Sequence, residues 1–187
     1  MSNSLLPQEI FIAFDVPHEA RVFYARVQEE MARAGMKARK HRTIPHITVK
    51  APMVVSSAQV HEVRDMIQDL ITSGKMSRFA VELGEIGMFN KSGAIYLVVD
   101  GGAIRPQMFY IIDRLTAIGY GRKFYEGLVP HITLAKPDKW HRSQAHTIIM
   151  GLEGRPRGRY SIDAIHLFTR NGCRIGEWDQ HEILRLR

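Results

Sequence analysis

The segment Ile44-Pro45-His46-Ile47-Thr48-Val49 returns as Val129-Pro130-His131-Ile132-Thr133-Leu134, and no other feature restricts the fold as much. The copies lie 131 − 46 = 85 residues apart in a chain of 187. In each, a proline starts the segment, and His and Thr alternate with aliphatic residues. Alternation is the period of a β-strand, whose successive side chains point to opposite faces. His46 and Thr48 therefore share one face, about 7 Å apart along the strand, and Ile47 and Val49 point into a core. His131 and Thr133 repeat the arrangement, with Ile132 and Leu134 inward. Such a pair of strands delivers two imidazoles and two hydroxyls to whatever surface they share.

The surrounding elements repeat as well. Glu9–Val16 has the apolar run of a buried strand, and Ala20–Ala34 places Val22, Phe23, Val27 and Met31 near helical spacing. The first His strand runs about Pro45–Pro52. Ser56 or Ser57 caps a helix over Ala58–Ser73, and Phe79–Met88 alternates as a strand. The pattern restarts with a strand at Ala94–Val99, a helix at Gln107–Ile118 and the second His strand at Val129–Lys136. A helix over Lys139–Met150 and a strand over Tyr160–Thr169 follow. Asn171-Gly172 reads as a hairpin turn, with a last strand at Arg174–Arg187. Both halves read strand, helix, His strand, helix, strand. The offset from Phe11 to His46 is 35 residues, and from Ile95 to His131 it is 36. The expectation is one α+β domain over residues 1–187. It is built of duplicated β-α-β-α-β units forming two pseudo-symmetric lobes, about 1–90 and about 91–187, with antiparallel sheets around a central cleft.

A phosphodiester that is strained, or that carries its own nucleophile, can be cleaved by one base and one acid. Histidine serves both roles because its unperturbed pKa near 6.5 keeps each protonation state populated at neutral pH. Threonine hydroxyls can donate to the non-bridging oxygens, where charge develops. Lys50 and Lys136, shortly after each motif, add positive charge. A formal charge of +7 and a pI near 9.8 favour an anionic partner. Apolar runs such as Ile10–Phe14 and Ile95–Val99 are too short to cross a bilayer. The lone Cys173 excludes an internal disulfide and fits a reducing compartment, so a cytoplasmic location is expected. No obligate protein partner is indicated, and His141 and His146 lack the acidic or cysteine neighbours of a zinc site. Lys37, Arg39, Lys40 and Arg42 fit either an RNA-contacting edge or a solvated basic strand.

Pro-His-Ile-Thr-Val-Lys and Pro-His-Ile-Thr-Leu-Ala-Lys resemble the paired His-x-Thr/Ser motifs of the 2H phosphoesterase superfamily, which includes the RNA 2′,3′-cyclic phosphodiesterases, also called 2′-5′ RNA ligases. The resemblance covers nearly the whole chain. It implies metal-independent hydrolysis without a cofactor, with His46 as proton donor, His131 activating water, and Thr48 and Thr133 holding the phosphate. Arg122 and Phe124 are similar to the Arg-x-Phe that often precedes the second motif. Phe124 and Phe168 are thereby expected near the cleft, to stack a base. The implied substrate is a 2′,3′-cyclic phosphate of RNA or a nucleotide, opened to a monoester with a 2′-phosphate. The alternatives are a phosphodiesterase for 2′-5′-linked or cyclic oligonucleotides, and a non-catalytic RNA-binding module with the same cleft.

Overall fold

In the computed structural model, which describes residues 7–36, 44–120, 128–171, 178 and 180–187, the two His strands sit side by side at the centre of an antiparallel sheet. The first half of the chain forms β1 (Gln8–Phe14), α1 (His18–Arg33), β2 (Ile47–Val55), α2 (Ser57–Thr72) and β3 (Phe79–Met88). The second half forms β4 (Ile95–Asp100), α3 (Ile104–Ala117), β5 (His131–Ala135), α4 (Arg142–Gly151), β6 (Gly158–Ile162), β7 (Ala164–Asn171) and β8 (Gln180–Arg185). A 3₁₀ turn at Lys139–His141 precedes α4. The repeated strand–helix–strand–helix–strand order read from sequence is present. The helix over 58–73 is fixed at its start by a capping box, in which Ser56 and Gln59 satisfy each other's backbone N–H groups.

All eight strands join one sheet in the order β6-β3-β4-β5-β2-β1-β7-β8, and each pairing is antiparallel. A pseudo-two-fold axis between β5 and β2 exchanges the four strands on one side with the four on the other. The spatial halves do not follow the expected division near residue 90. β3 crosses to the side of β5 because the turn Phe89–Ala94 folds it back on β4, with Phe89 N–H donating to Ala94 O at 3.0 Å. β7 and β8 cross the other way, onto β1.

The strand expected over Tyr160–Thr169 is two strands broken at Asp163. That one-residue link joins the first and seventh positions of the sheet. In a flat sheet those positions stand roughly 29 Å apart, six spacings of about 4.8 Å, whereas two Cα steps span at most about 7.6 Å. The sheet must therefore curl. Its ends approach accordingly, since Arg78 N–H, just before β3, donates to Arg187 O at 3.1 Å.

All four helices pack on one face. Ile10, Ile12, Phe14, Ile47, Val49, Leu97, Ile132 and Leu134 share a buried cluster with Phe23, Val27, Ile67, Met108, Ile111 and Ile149 of the helices. A smaller cluster of Phe11, Ala13 and Phe168 occupies the opposite face. No helix among the described residues is long and apolar enough to cross a membrane.

Candidate active site

β2 and β5 share one paired position, Ile47 opposite Ile132, both fully buried. In an antiparallel pair the opposing residue numbers keep a constant sum, here 47 + 132 = 179. One step either way therefore sets His46 across from Thr133 and Thr48 across from His131. With both isoleucines turned to the core, the two histidines and two threonines occupy the other face. The histidines stand at diagonal positions, typically about 7–8 Å apart. All four side chains are half-buried.

Each imidazole is held the same way. His46 Nδ1 lies 2.8 Å from Ile44 O, and His131 Nδ1 lies 2.7 Å from Val129 O. A carbonyl oxygen only accepts, so Nδ1 carries the proton in both rings and proton exchange falls to Nε2. Burial pushes His131 below its ordinary pKa of 6.5, although the bond to Val129 opposes the shift. His131 is thus neutral at pH 7, the state a general base requires.

Aromatic rings brace both imidazoles. Phe11 meets His46 edge-on at 4.7 Å, with Phe168 at 6.2 Å. Phe89 and Tyr96, stacked on each other at 4.2 Å, meet His131 at 4.9 and 5.3 Å. Each brace draws on the strand beside its histidine, but Tyr96 is the counterpart of Ala13 and not of Phe11, because Thr133 pairs with Tyr96 and Thr48 with Ala13. Neither ring is singled out in the sequence. Phe11 reads there only as one residue of an apolar strand, because strand alternation does not show which neighbour a side chain supports.

Gly87 faces Tyr96 across β3 and β4. A Cβ at Gly87 would sit 2.6 Å from the Tyr96 ring. Gly87→Ala is therefore expected to push Tyr96 off His131. Overpacking of this kind costs about 1–3 kcal/mol, and misplacement of a catalytic group by about 1 Å can cost up to about 10²-fold in rate. The expected result is a folded variant with lowered kcat, checked by thermal melting and steady-state kinetics together.

The expected binding residues divide. Lys50 follows a β-bulge after Thr48 that sets it opposite the core residue Ile12; it is half-buried, and burial lowers its pKa. Lys136 does not mirror it. In the second motif the bulge position, opposite Ile95, belongs to Ala135, so Lys136 stands one residue farther on, exposed beyond the end of β5. Phe168 reaches the neighbourhood of His46 but is 3 % exposed, sandwiched between Phe11 at 5.2 Å and His181 at 4.4 Å. It has no open face for a base and acts as backing. Trp178 holds the more open position of this aromatic group, half-buried, 5.6 Å from Phe11 and with the Arg170 guanidinium 4.7 Å over its ring. Arg122 and Phe124 lie outside the described residues. Among the described residues no group of three His, Cys, Asp or Glu side chains is arranged to hold a metal ion.

Comparison with known proteins agrees with this architecture. The sequence profile described as the 2′-5′ RNA ligase superfamily matches residues 15–174. No curated protein matches the chain. Among solved structures, E. coli LigT complexed with 3′-AMP is similar, with a TM-score of 0.56 and 14 % identity over 97 % of this chain and 96 % of that one. Kluyveromyces marxianus Usb1 aligns with a TM-score of 0.53 and 10 % identity, covering 99 % of this chain and 100 % of its own. The MHV ns2 PDE domain aligns with a TM-score of 0.55 and 13 % identity, covering 97 % and 99 %. At these identities the structural likeness concerns the fold.

Proposed function

The chain belongs to the 2′-5′ RNA ligase superfamily of 2H phosphoesterases, and from that premise we propose a phosphodiesterase that opens 2′,3′-cyclic phosphates of RNA or nucleotides by two-histidine acid–base catalysis. The observation that carries the proposal is the matched pair of imidazoles. Each has Nδ1 donating to the carbonyl two residues upstream, and each register position puts a threonine across from a histidine. Two further observations support the substrate class. The chain is strongly basic, and a relative of the same fold, E. coli LigT, has been crystallised with 3′-AMP and with phosphate.

The chemistry proceeds in line. His131 Nε2 takes a proton from water as the water oxygen bonds to phosphorus. The bond from phosphorus to the 3′ oxygen breaks, and His46 Nε2–H protonates that oxygen. A 2′-phosphate monoester remains. The Thr48 and Thr133 hydroxyls donate to the non-bridging oxygens as their charge grows, and Lys50, two residues after Thr48, lends positive charge. Exchange with solvent returns both rings to their starting states.

The test is a substrate panel resolved by product regiochemistry: 2′,3′-cyclic nucleotides, 3′,5′-cyclic nucleotides, 2′-5′-linked dinucleotides and RNA ending in a cyclic phosphate. Turnover of the first and last classes to 2′-phosphates, undiminished in EDTA, is the expected result. Turnover confined to the other two classes, or loss of activity on chelation, would overturn the proposal. The pH profile supplies a second check. His131 acts only when neutral, and burial lowers its pKa from 6.5. The acid limb of kcat/KM should therefore have its midpoint below pH 6.5, falling about tenfold per unit as pH drops past it. A midpoint above 6.5 would assign the limb to another group.

A further inference from the structure

Among the described residues the most exposed large apolar side chain is Trp140, at 80 %. It lies in the 3₁₀ turn Lys139–His141, between the end of β5 and the start of α4. An aromatic ring that serves a core buries about 150–250 Å², so this indole adds almost nothing to folding.

The turn that carries it is nevertheless fixed. Pro137 is buried, and His141 N–H donates to Asp138 O at 2.9 Å. Arg142 follows, donating from Nη2 to Ser92 O at 3.1 Å. Its side chain lies flat on Gly93, where a Cβ would stand 2.0 Å from Nε. Ser92 and Gly93 belong to the turn between β3 and β4 that begins at Phe89, one of the two rings that meet His131. The Trp140 turn is thereby docked on the turn that braces the second motif histidine.

Cations crowd this rim. Lys91 sits on the first turn, and Lys136, Lys139 and Arg142 on the second, whereas Asp138 is the one carboxylate in residues 89–94 and 135–142. The three lysines are exposed. None of the four cations joins an ion pair among the described residues. Lys139 Nζ stands 4.3 Å over the Trp140 ring, and at 80 % exposure the opposite face of the indole is open to solvent. A single exposed apolar side chain is ordinary in itself. An open indole mounted rigidly among unpaired cations is what single-stranded RNA needs, since bases stack on the ring and phosphates meet the charges. A lipid surface also takes Trp with Lys, but these two stretches offer no second exposed large apolar side chain to bury beside Trp140.

We propose that Trp140, with Lys91, Lys136 and Lys139, is a docking surface for the single-stranded RNA that leads to the reacting phosphate. One base stacks on the open face of the indole, and the lysines take the adjoining phosphates. The inference rests on the phosphodiesterase reading above and narrows its substrate to the end of an RNA strand rather than a free nucleotide.

The experiment measures, by calorimetry, the affinity for RNA of one, two, four and eight nucleotides ending in a 2′-phosphate, the product of the proposed reaction. The proteins are wild type, Trp140→Ala, Trp140→Phe and Lys139→Ser. Wild type should bind the octamer more tightly than the mononucleotide. Trp140→Ala should weaken the octamer by roughly 5- to 150-fold, the size of one base–aromatic stack, and leave the mononucleotide unchanged. Trp140→Phe should keep most of the octamer affinity. Lys139→Ser should make the log–log salt dependence shallower by about 0.7, one phosphate contact on a single strand. Turnover should divide in the same way: Trp140→Ala lowers kcat/KM for an octamer ending in a cyclic phosphate and not for adenosine 2′,3′-cyclic phosphate. An octamer affinity untouched by Trp140→Ala, or an equal loss on the mononucleotide, overturns the assignment. So does a loss seen only with vesicles of phosphatidylcholine and phosphatidylserine, which would give the ring to a membrane surface. The calorimetry needs no turnover. An inactive substrate panel with octamer binding still dependent on Trp140 would sink the phosphodiesterase reading alone, whereas an active panel with Trp140 indifferent would sink the docking surface alone.

Discussion

His131→Ala should lower kcat on a 2′,3′-cyclic nucleotide by about 10²–10⁴-fold, the usual contribution of one positioned proton transfer, with KM changed much less. The asymmetry follows from where the ring acts. In the proposed mechanism its Nε2 meets the attacking water, whereas ground-state binding of the phosphate falls to Thr48, Thr133 and Lys50. His46→Ala should give a loss of the same order. It should be partly relieved for substrates whose leaving oxygen is already a good leaving group, since the mechanism proposed above has His46, and not His131, protonate that oxygen. The double variant should be scarcely slower than the worse single one, because an acid and a base acting in one transition state do not contribute independently. Circular dichroism and melting temperature should match wild type, as both side chains are half-buried and bear on a sheet face rather than the core. A pair of single variants that multiply, or a KM rise that accounts for the whole effect, would count against the assigned roles. A non-catalytic RNA-binding module predicts instead no activity to lose and unchanged RNA binding in both variants.

The centre of this fold was legible because it depends on local pattern. Pro-His-Ile-Thr twice, with isoleucine between the polar pair, fixes strand period and facing, and the pairing of Ile47 with Ile132 places both copies on one surface. The exchange of β3 and β7 between the halves was not legible. Strand partners are chosen by turns and by edges far apart in the chain, and neither leaves a periodic trace. The surroundings of Lys50 and Lys136 were not legible either: a β-bulge follows each motif threonine and resets the parity that strand counting relies on, and no residue type marks it. Phe168 was placed near the cleft, where it lies, yet exposure depends on its neighbours. His181 and Phe11 cover its two sides, and no property of β7 alone announces them. The approach of His166 to Asp15 at 3.3 Å and to His181 at 2.6 Å gathers residues up to 181 − 15 = 166 positions apart in sequence, and shows only when β1, β7 and β8 are side by side.

Ile47→Ala should combine the largest stability loss with a separate loss of activity. Ile47 is fully buried, and truncation of a buried isoleucine to alanine costs about 2–5 kcal/mol. That is a large share of the roughly 5–15 kcal/mol that holds a domain together. At about 2–4 °C per kcal/mol for a chain of this size, the melting temperature should fall by roughly 4–20 °C. Ile10→Ala on β1 is the control, equally buried and in the same core cluster but away from the axis. Both variants leave similar cavities. Only Ile47 is flanked by His46 and Thr48, and it supplies the sole paired position between β2 and β5 among the described residues. Slackness there changes the distance between the two imidazoles, whereas slackness at Ile10 is absorbed within one half of the sheet. Measured at a temperature where both variants are fully folded, kcat should fall for Ile47→Ala and stay near wild type for Ile10→Ala. If kcat simply follows the folded fraction in both, the axis does not set the spacing of the histidines. If Ile10→Ala loses as much activity as Ile47→Ala, the two halves transmit strain as one body and the pairing at the axis has no special part.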